Sequence, residues 1–129
     1  MSHGFANVHT EVPVRYKFVS KTIPLKDDTV HVGRSKDFSS AGIAVVGKCP
    51  DDPLLGYLIR GEVFVGLNIV LPNREEPVKV LGRLIWLEVD EEAQGRCRMG
   101  LRFVEIDKES KDALVRFSIR SQITRRFGP

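Results

Sequence analysis

Residues 37–42 read DFSSAG, which sets a carboxylate, a hydroxyl and a glycine at Asp37, Ser39 and Gly42. Two chemistries suit that spacing. One is a tight turn, in which Asp and Ser side chains accept hydrogen bonds from nearby backbone amides and glycine adopts positive φ without steric cost. The other is a ligand rim, in which the carboxylate accepts hydrogen bonds from a base and the glycine lets a ligand reach the backbone. Taken alone, the segment reads more simply as the turn.

Catalytic alternatives find little support. His3, His9 and His31 match neither an H-E-x-x-H helix nor a Cys/His metal pattern. Ser39, His31 and Asp37 make a poor triad: no G-x-S-x-G elbow is present, and His31 falls about 20 Å from Asp37 along an extended strand. Asp27–Asp28, Asp51–Asp52 and Glu75–Glu76 sit in turn-rich segments and read as solvated loops. No glycine-rich phosphate loop occurs. Cys49 and Cys97 form no C-x-x-C and read as two reduced thiols. The expectation is a protein with no enzymatic activity, no metal and no cofactor.

The arginines carry more weight. Arg98 and Arg102 alternate with Cys97, Met99 and Leu101 and so project from the face opposite that apolar stripe. Arg116, Arg120, Arg125 and Arg126 follow in a helical segment. Beside Asp37 such cations make a basic rim next to a base-reading carboxylate, and a phosphate-bearing nucleotide needs both.

Rigid elements must hold these groups. At 129 residues the chain is one domain, and its net charge of +3 favours an anionic partner without reaching a nucleic-acid signature. No apolar run reaches the ~18 residues of a membrane span, and MSHGFANVHTE lacks the basic start and apolar core of a signal peptide. A cytoplasmic protein is expected. Period-two alternation marks strands at 12–19, 29–38, 42–47, 62–71, 78–89 and 96–106, separated by turn residues such as KDD, PDDP, LPNREEP and DEEAQG. After Asp107, a good N-cap, Ala113, Leu114, Phe117, Ile123 and Phe127 recur at helical spacing. These signals predict a mainly β fold: a six-stranded antiparallel barrel over 12–129 with a C-terminal helix at about 108–127, preceded by a flexible tail at 1–11.

In that order the blocks resemble the PilZ domain family. DFSSAG matches D-x-S-x-x-G at Asp37, Ser39 and Gly42; GEVFVGLNIVLP and GRLIWLEV follow, the latter carrying Trp86; and GLRFVEID supplies G-x-x-F at Gly100 and Phe103. The resemblance spans roughly 12–127. It implies a six-stranded barrel that binds cyclic di-GMP, with Asp37 and Ser39 contacting a guanine and Gly42 permitting close approach. The family's binders also carry R-x-x-x-R just before the first strand, for phosphate and for stacking on guanine. Here those positions are Asn7 and Glu11, or His3 and Asn7 in the other register, and neither supplies an arginine. Losing two charged hydrogen-bonding groups at ~1.5–3 kcal/mol each, plus ~0.5–2 of stacking, weakens binding by roughly three decades or more.

Among substitutes for that clamp, Arg15, Lys17, Arg34, Lys36, Arg98 and Arg102, strict alternation sends Arg34 and Lys36 away from Asp37 unless a bulge intervenes. Arg98 and Arg102 rank first, so the candidate ligand residues are Asp37, Ser39, Gly42, Arg98 and Arg102. The expected function is a bacterial cyclic di-GMP receptor or adaptor that signals by protein contacts to motility or biofilm machinery. A PilZ adaptor that has lost the nucleotide is the alternative, and an RNA-binding barrel the third. Against the third, Tyr16, Phe18, Phe64, Trp86 and Phe103 fall mostly on core parities rather than on an exposed stacking face.

Overall fold

The computed structural model describes residues 11–25, 28–72 and 74–127, with backbone alone at 36 and 121–127. The expected tail at 1–11, with His3, Asn7 and His9, lies outside the described residues apart from Glu11. So do Asp27 and the side chains of Ile123, Arg125, Arg126 and Phe127.

Among the described residues six strands form: β1 (Val12–Val19), β2 (His31–Phe38), β3 (Gly42–Lys48), β4 (Phe64–Ile69), β5 (Val78–Val89) and β6 (Arg96–Ile106). All pairings are antiparallel, and the order β1-β2-β3-β6-β5-β4 closes through β1 and β4 into a barrel. Closure leaves the sheet without an unpaired edge. The alternating residues that announced the strands fill it: Val12, Val14, Tyr16 and Phe18 from β1, Val65, Leu67 and Ile69 from β4, and Cys97, Met99 and Leu101 from β6 are buried.

The core is closed around Tyr16. Its ring passes over Gly33 and Gly47, where a Cβ at Gly47 would fall on the phenol oxygen, and its hydroxyl donates to the Lys48 carbonyl at 3.4 Å. His31 stacks on the same ring with centroids 5.2 Å apart. The histidine is therefore used in packing.

One element was not foreseen. The segment PDDP is the start of a helix, α1 (Asp52–Ile59), rather than a turn. Asp51 caps it by accepting from the Leu54 N–H at 2.9 Å, Asp52 sits in the positive first turn, and Pro53 occupies a position whose N–H has no helical partner. Leu58 is its one buried residue, and the helix packs on β5.

The C-terminal helix, α2 (Lys108–Phe127), begins as expected. The Asp107 carboxylate accepts from the Ser110 N–H at 2.7 Å, and this bond holds its carboxyl below the usual range. Leu114 is buried, and Phe117 stacks on Phe38 with centroids 6.0 Å apart. Phe38 ends β2, so the helix fixes the backbone beside Asp37.

Candidate functional site

β2 carries the feature that builds the site. His31 is half-buried and Gly33 and Ser35 are buried, while Val30 and Val32 point outward at 56% and 72% exposure. Strict alternation would then place Asp37 inside. It does not, because Arg34 pairs with Val46 and Asp37 with Ala44, so three steps on β2 match two on β3. This bulge turns Asp37 outward and Phe38 inward. The buried Ser35 hydroxyl satisfies the irregular backbone, accepting from the Asp37 N–H and donating to the Asp37 carbonyl, each at 3.2 Å. Arg34 consequently shares the outer face with Asp37. The strict-alternation expectation for Arg34 is overturned, and the Lys36 side chain lies outside the described residues.

The strand registers arrange this face in three rows across β2, β3, β6 and β5. One reads Arg34, Val46, Arg98, Glu88; the next reads Asp37, Ala44, Gly100, Trp86; the third joins Gly42, Arg102 and Arg83. Gly100 makes the middle row work. A Cβ there would fall within the indole of Trp86, so only glycine lets that ring lie down on the strand. Trp86 keeps 39% of its surface exposed, and the Arg98 guanidinium stands over it, 5.4 Å from the ring centroid. The same guanidinium lies 3.5 Å from the Asp37 carboxylate and 3.8 Å from Glu88. Arg34 lies 3.4 Å from Glu11.

The DFSSAG segment is a turn as well as the edge of this face. The Ser39 N–H donates to the Gly42 carbonyl at 3.0 Å, and its hydroxyl accepts from the Ala41 N–H at 3.1 Å. At Gly42 a Cβ would stand 2.6 Å from the Leu101 carbonyl oxygen, so β3 needs glycine to approach β6. Asp37 and Arg98 are thus brought into contact, and Gly42 and Arg102 pair one row away. Ser39 is held in the turn. Arg102 and Arg83 face each other directly, and among the described residues neither has a carboxylate partner. Glu88 and Arg83 went unnoticed as members of the face, Trp86 was assigned to a core parity, and Arg34 was named but set aside on strict alternation, which the bulge breaks. Residue pattern held no signal for the outward position of Trp86, which follows from the register shift in β5 between Leu84 and Trp86.

Arg15 and Lys17 stand on β1, on the far side of the barrel, and drop out as members of this face. Cys49 and Cys97 are free thiols, also away from it. Among the described residues no group of three or more His, Cys, Asp or Glu side chains is placed to hold a metal ion. No described helix is long and apolar enough to cross a membrane.

A family model described as the PilZ domain matches residues 13–120. The chain belongs to the PilZ domain family. No curated protein matches it. Among solved structures this PilZ chain is similar to the Bacillus subtilis inhibitor of motility MotI/DgrA, at TM-score 0.68 and 19% identity over 98% of this chain and 54% of that one. It is similar to the PilZ domain of CeSA from a cellulose-synthesizing bacterium, at 0.57 and 18% over 94% and 99%. The PilZ domain of YcgR from Escherichia coli, solved with c-di-GMP, gives 0.57 and 13% over 98% and 95%. At these identities the likeness shows the fold. The chain spans about half the length of MotI/DgrA.

Within the PilZ barrel the electrostatics of the face are balanced but loose. Arg98 and Asp37 have side chains 45% and 59% exposed, so their ion pair is worth about 0–1 kcal/mol. A ligand that offers Asp37 better hydrogen bonds can displace it.

Proposed function

We propose that this PilZ chain is a non-enzymatic, cytoplasmic bacterial receptor for cyclic di-GMP, and that it signals by presenting an altered surface to a protein partner. The observation that carries this reading is the middle row: an outward carboxylate at Asp37 and an indole at Trp86 on one flat strip, with Arg98 between them. A guanine laid on that strip meets an acceptor for its N–H edge and an aromatic face for stacking, while Arg98 and Arg102, with Arg34 released from Glu11, are the cations available to the phosphates. Ser39 and Gly42 form the rim where the base passes close to the backbone. YcgR, a relative in fold, was solved with c-di-GMP, and MotI/DgrA is by its name an inhibitor of motility, which supports motility or biofilm machinery as the destination of the signal.

Affinity is expected to be weak. Nothing at 3, 7 or 11 replaces the R-x-x-x-R arginines, and Arg34 in its exposed pair with Glu11 restores only part of the lost charge. This absence, together with an Asp37 already engaged by Arg98, favours one second reading: a PilZ adaptor that works by protein contact without the nucleotide. Calorimetric titration with cyclic di-GMP separates the two. Heat and amide shifts around residues 37–42 and at Trp86, abolished by Asp37→Ala, support the receptor. Saturating nucleotide with no heat and no shifts establishes the nucleotide-free adaptor.

A further inference from the structure

The barrel has a second charged face. On the seam of β1 and β4, opposite the β3–β6 seam, the registers place Val32, Arg15, Asn68 and Lys79 in one row across β2, β1, β4 and β5. In the adjoining row Lys17 pairs with Gly66. Because Gly66 carries no side chain, the two rows flank a shallow, open hollow of about 310 Å³, lined also by Val19 and Val30.

Its charge is one-sided. Arg15 and Lys79 are exposed and have no ion pair among the described residues. Lys17 lies 2.6 Å from Asp28, whose side chain is 87% exposed, so a competing carboxylate can take its place. Val30 and Val32 add apolar surface at the edge with no cover from the barrel. Cations ringing a small aliphatic hollow complement a segment that carries carboxylates around an aliphatic side chain.

We propose that this hollow docks an acidic, aliphatic segment of a partner protein, with carboxylates on Arg15 and Lys79 and one aliphatic side chain seated over Gly66 against Val19 and Val30. Other anionic partners fit less well. A single-stranded nucleic acid needs exposed rings for its bases, and the aromatic here, Tyr16, is buried beneath the strand. An anionic bilayer is flat, and at about 1 kcal/mol per basic residue three cations around a concavity hold it poorly. A second copy docked by a two-fold axis sets the same cations against each other. The docking requires no nucleotide on the Asp37 face, so it stands or falls separately from the receptor reading.

The test is a titration of isotope-labelled protein with a synthetic dodecapeptide of Glu-Glu-Leu repeats, followed by amide shifts without nucleotide. Shifts should centre on Arg15, Gly66, Asn68 and Lys79, and Arg15→Glu or Lys79→Glu should weaken binding about tenfold. Gly66→Ala should weaken it with the barrel intact, since a Cβ at Gly66 meets nothing closer than 3.8 Å yet takes up the floor of the hollow. A Lys-Lys-Leu dodecapeptide should leave these amides unmoved. Shifts elsewhere, indifference to the charge reversals, or stronger shifts of the same amides by a single-stranded RNA or by phosphatidylglycerol vesicles would overturn the proposal.

Discussion

Arg98 on β6 reaches across β3 to within 3.5 Å of Asp37 on β2, and the bulge in β2 is what makes the meeting possible. Without the extra residue Asp37 would point into the barrel. The pair is solvent-exposed, with side chains 45% and 59% exposed, so it adds little to the stability of the fold. In urea unfolding, a double-mutant cycle of Asp37→Asn and Arg98→Gln should give a coupling of no more than ~1 kcal/mol. A larger value would mean that the pair is structural.

Three glycines on the barrel should respond differently to alanine. At Gly42 the obstruction is the Leu101 backbone carbonyl, 2.6 Å from the new Cβ, which cannot step aside, so Gly42→Ala should cost ~1–3 kcal/mol. At Gly66 there is room, and Gly66→Ala should be neutral or stabilise by up to ~1 kcal/mol through the unfolded chain. Gly100→Ala collides with an indole that can swing into solvent. It should therefore cost less than Gly42→Ala while shifting the emission of Trp86, the single tryptophan, to the red. An unshifted spectrum would show that the ring does not rest on Gly100.

The barrel was legible because apolar core stripes repeat with period two in five of its six strands, all but β2, and the terminal helix because Asp107 precedes apolar residues at helical spacing. What misled was local. β2 buries a glycine and a serine: a Cβ at Gly33 would stand 2.6 Å from the Val46 carbonyl oxygen and 3.2 Å from the Tyr16 ring, and Ser35 serves the bulge, while Val30 and Val32 face outward. The bulge left no mark in residue type beyond Ser35, whose hydroxyl reveals its purpose only once the backbone is seen. PDDP has turn composition, yet Asp and Pro also open helices, and the aliphatic run after it was too short to decide. Trp86 lies on the outer face because β5 shifts register between Leu84 and Trp86. Parity counting cannot see such a shift.

Stability should fall in alkali. Burial pushes the Cys97 thiol up to about 12, with its hydrogen bond to Cys49 adding to the effect, and burial also raises the Tyr16 phenol. Both groups stay protonated in the fold and release protons more readily in the unfolded chain. Their contribution is complete below the unfolded value of about 8.5 for a thiol and is lost as pH rises towards the folded value of about 12. Urea midpoints should hold to about pH 8 and then decline, and Cys97→Val should flatten the decline. A thiol reagent at neutral pH should modify the half-exposed Cys49 and spare Cys97 until the protein unfolds. Equal reactivity of the two would contradict the burial argument.

The missing clamp gives the sharpest test of the nucleotide reading. Glu11 lies where one register of R-x-x-x-R calls for arginine, and it draws Arg34 to 3.4 Å while placing a negative charge beside the Asp37 face. Glu11→Gln should release Arg34 and strengthen cyclic di-GMP binding modestly. Asn7→Arg with Glu11→Arg goes further, adding two guanidiniums that can bond phosphate oxygens bidentately and lie flat on a guanine. The His3→Arg, Asn7→Arg pair covers the other register. One of the double mutants should gain at least ~2 kcal/mol, about thirtyfold, and the gain should shrink with added salt because it rests on phosphate charge. Asp37→Ala in the same background should cancel it, since the base then loses its acceptor. If the arginines raise affinity equally with and without Asp37, the added charge is attracting phosphate non-specifically, and the carboxylate and indole of the middle row are not reading a base.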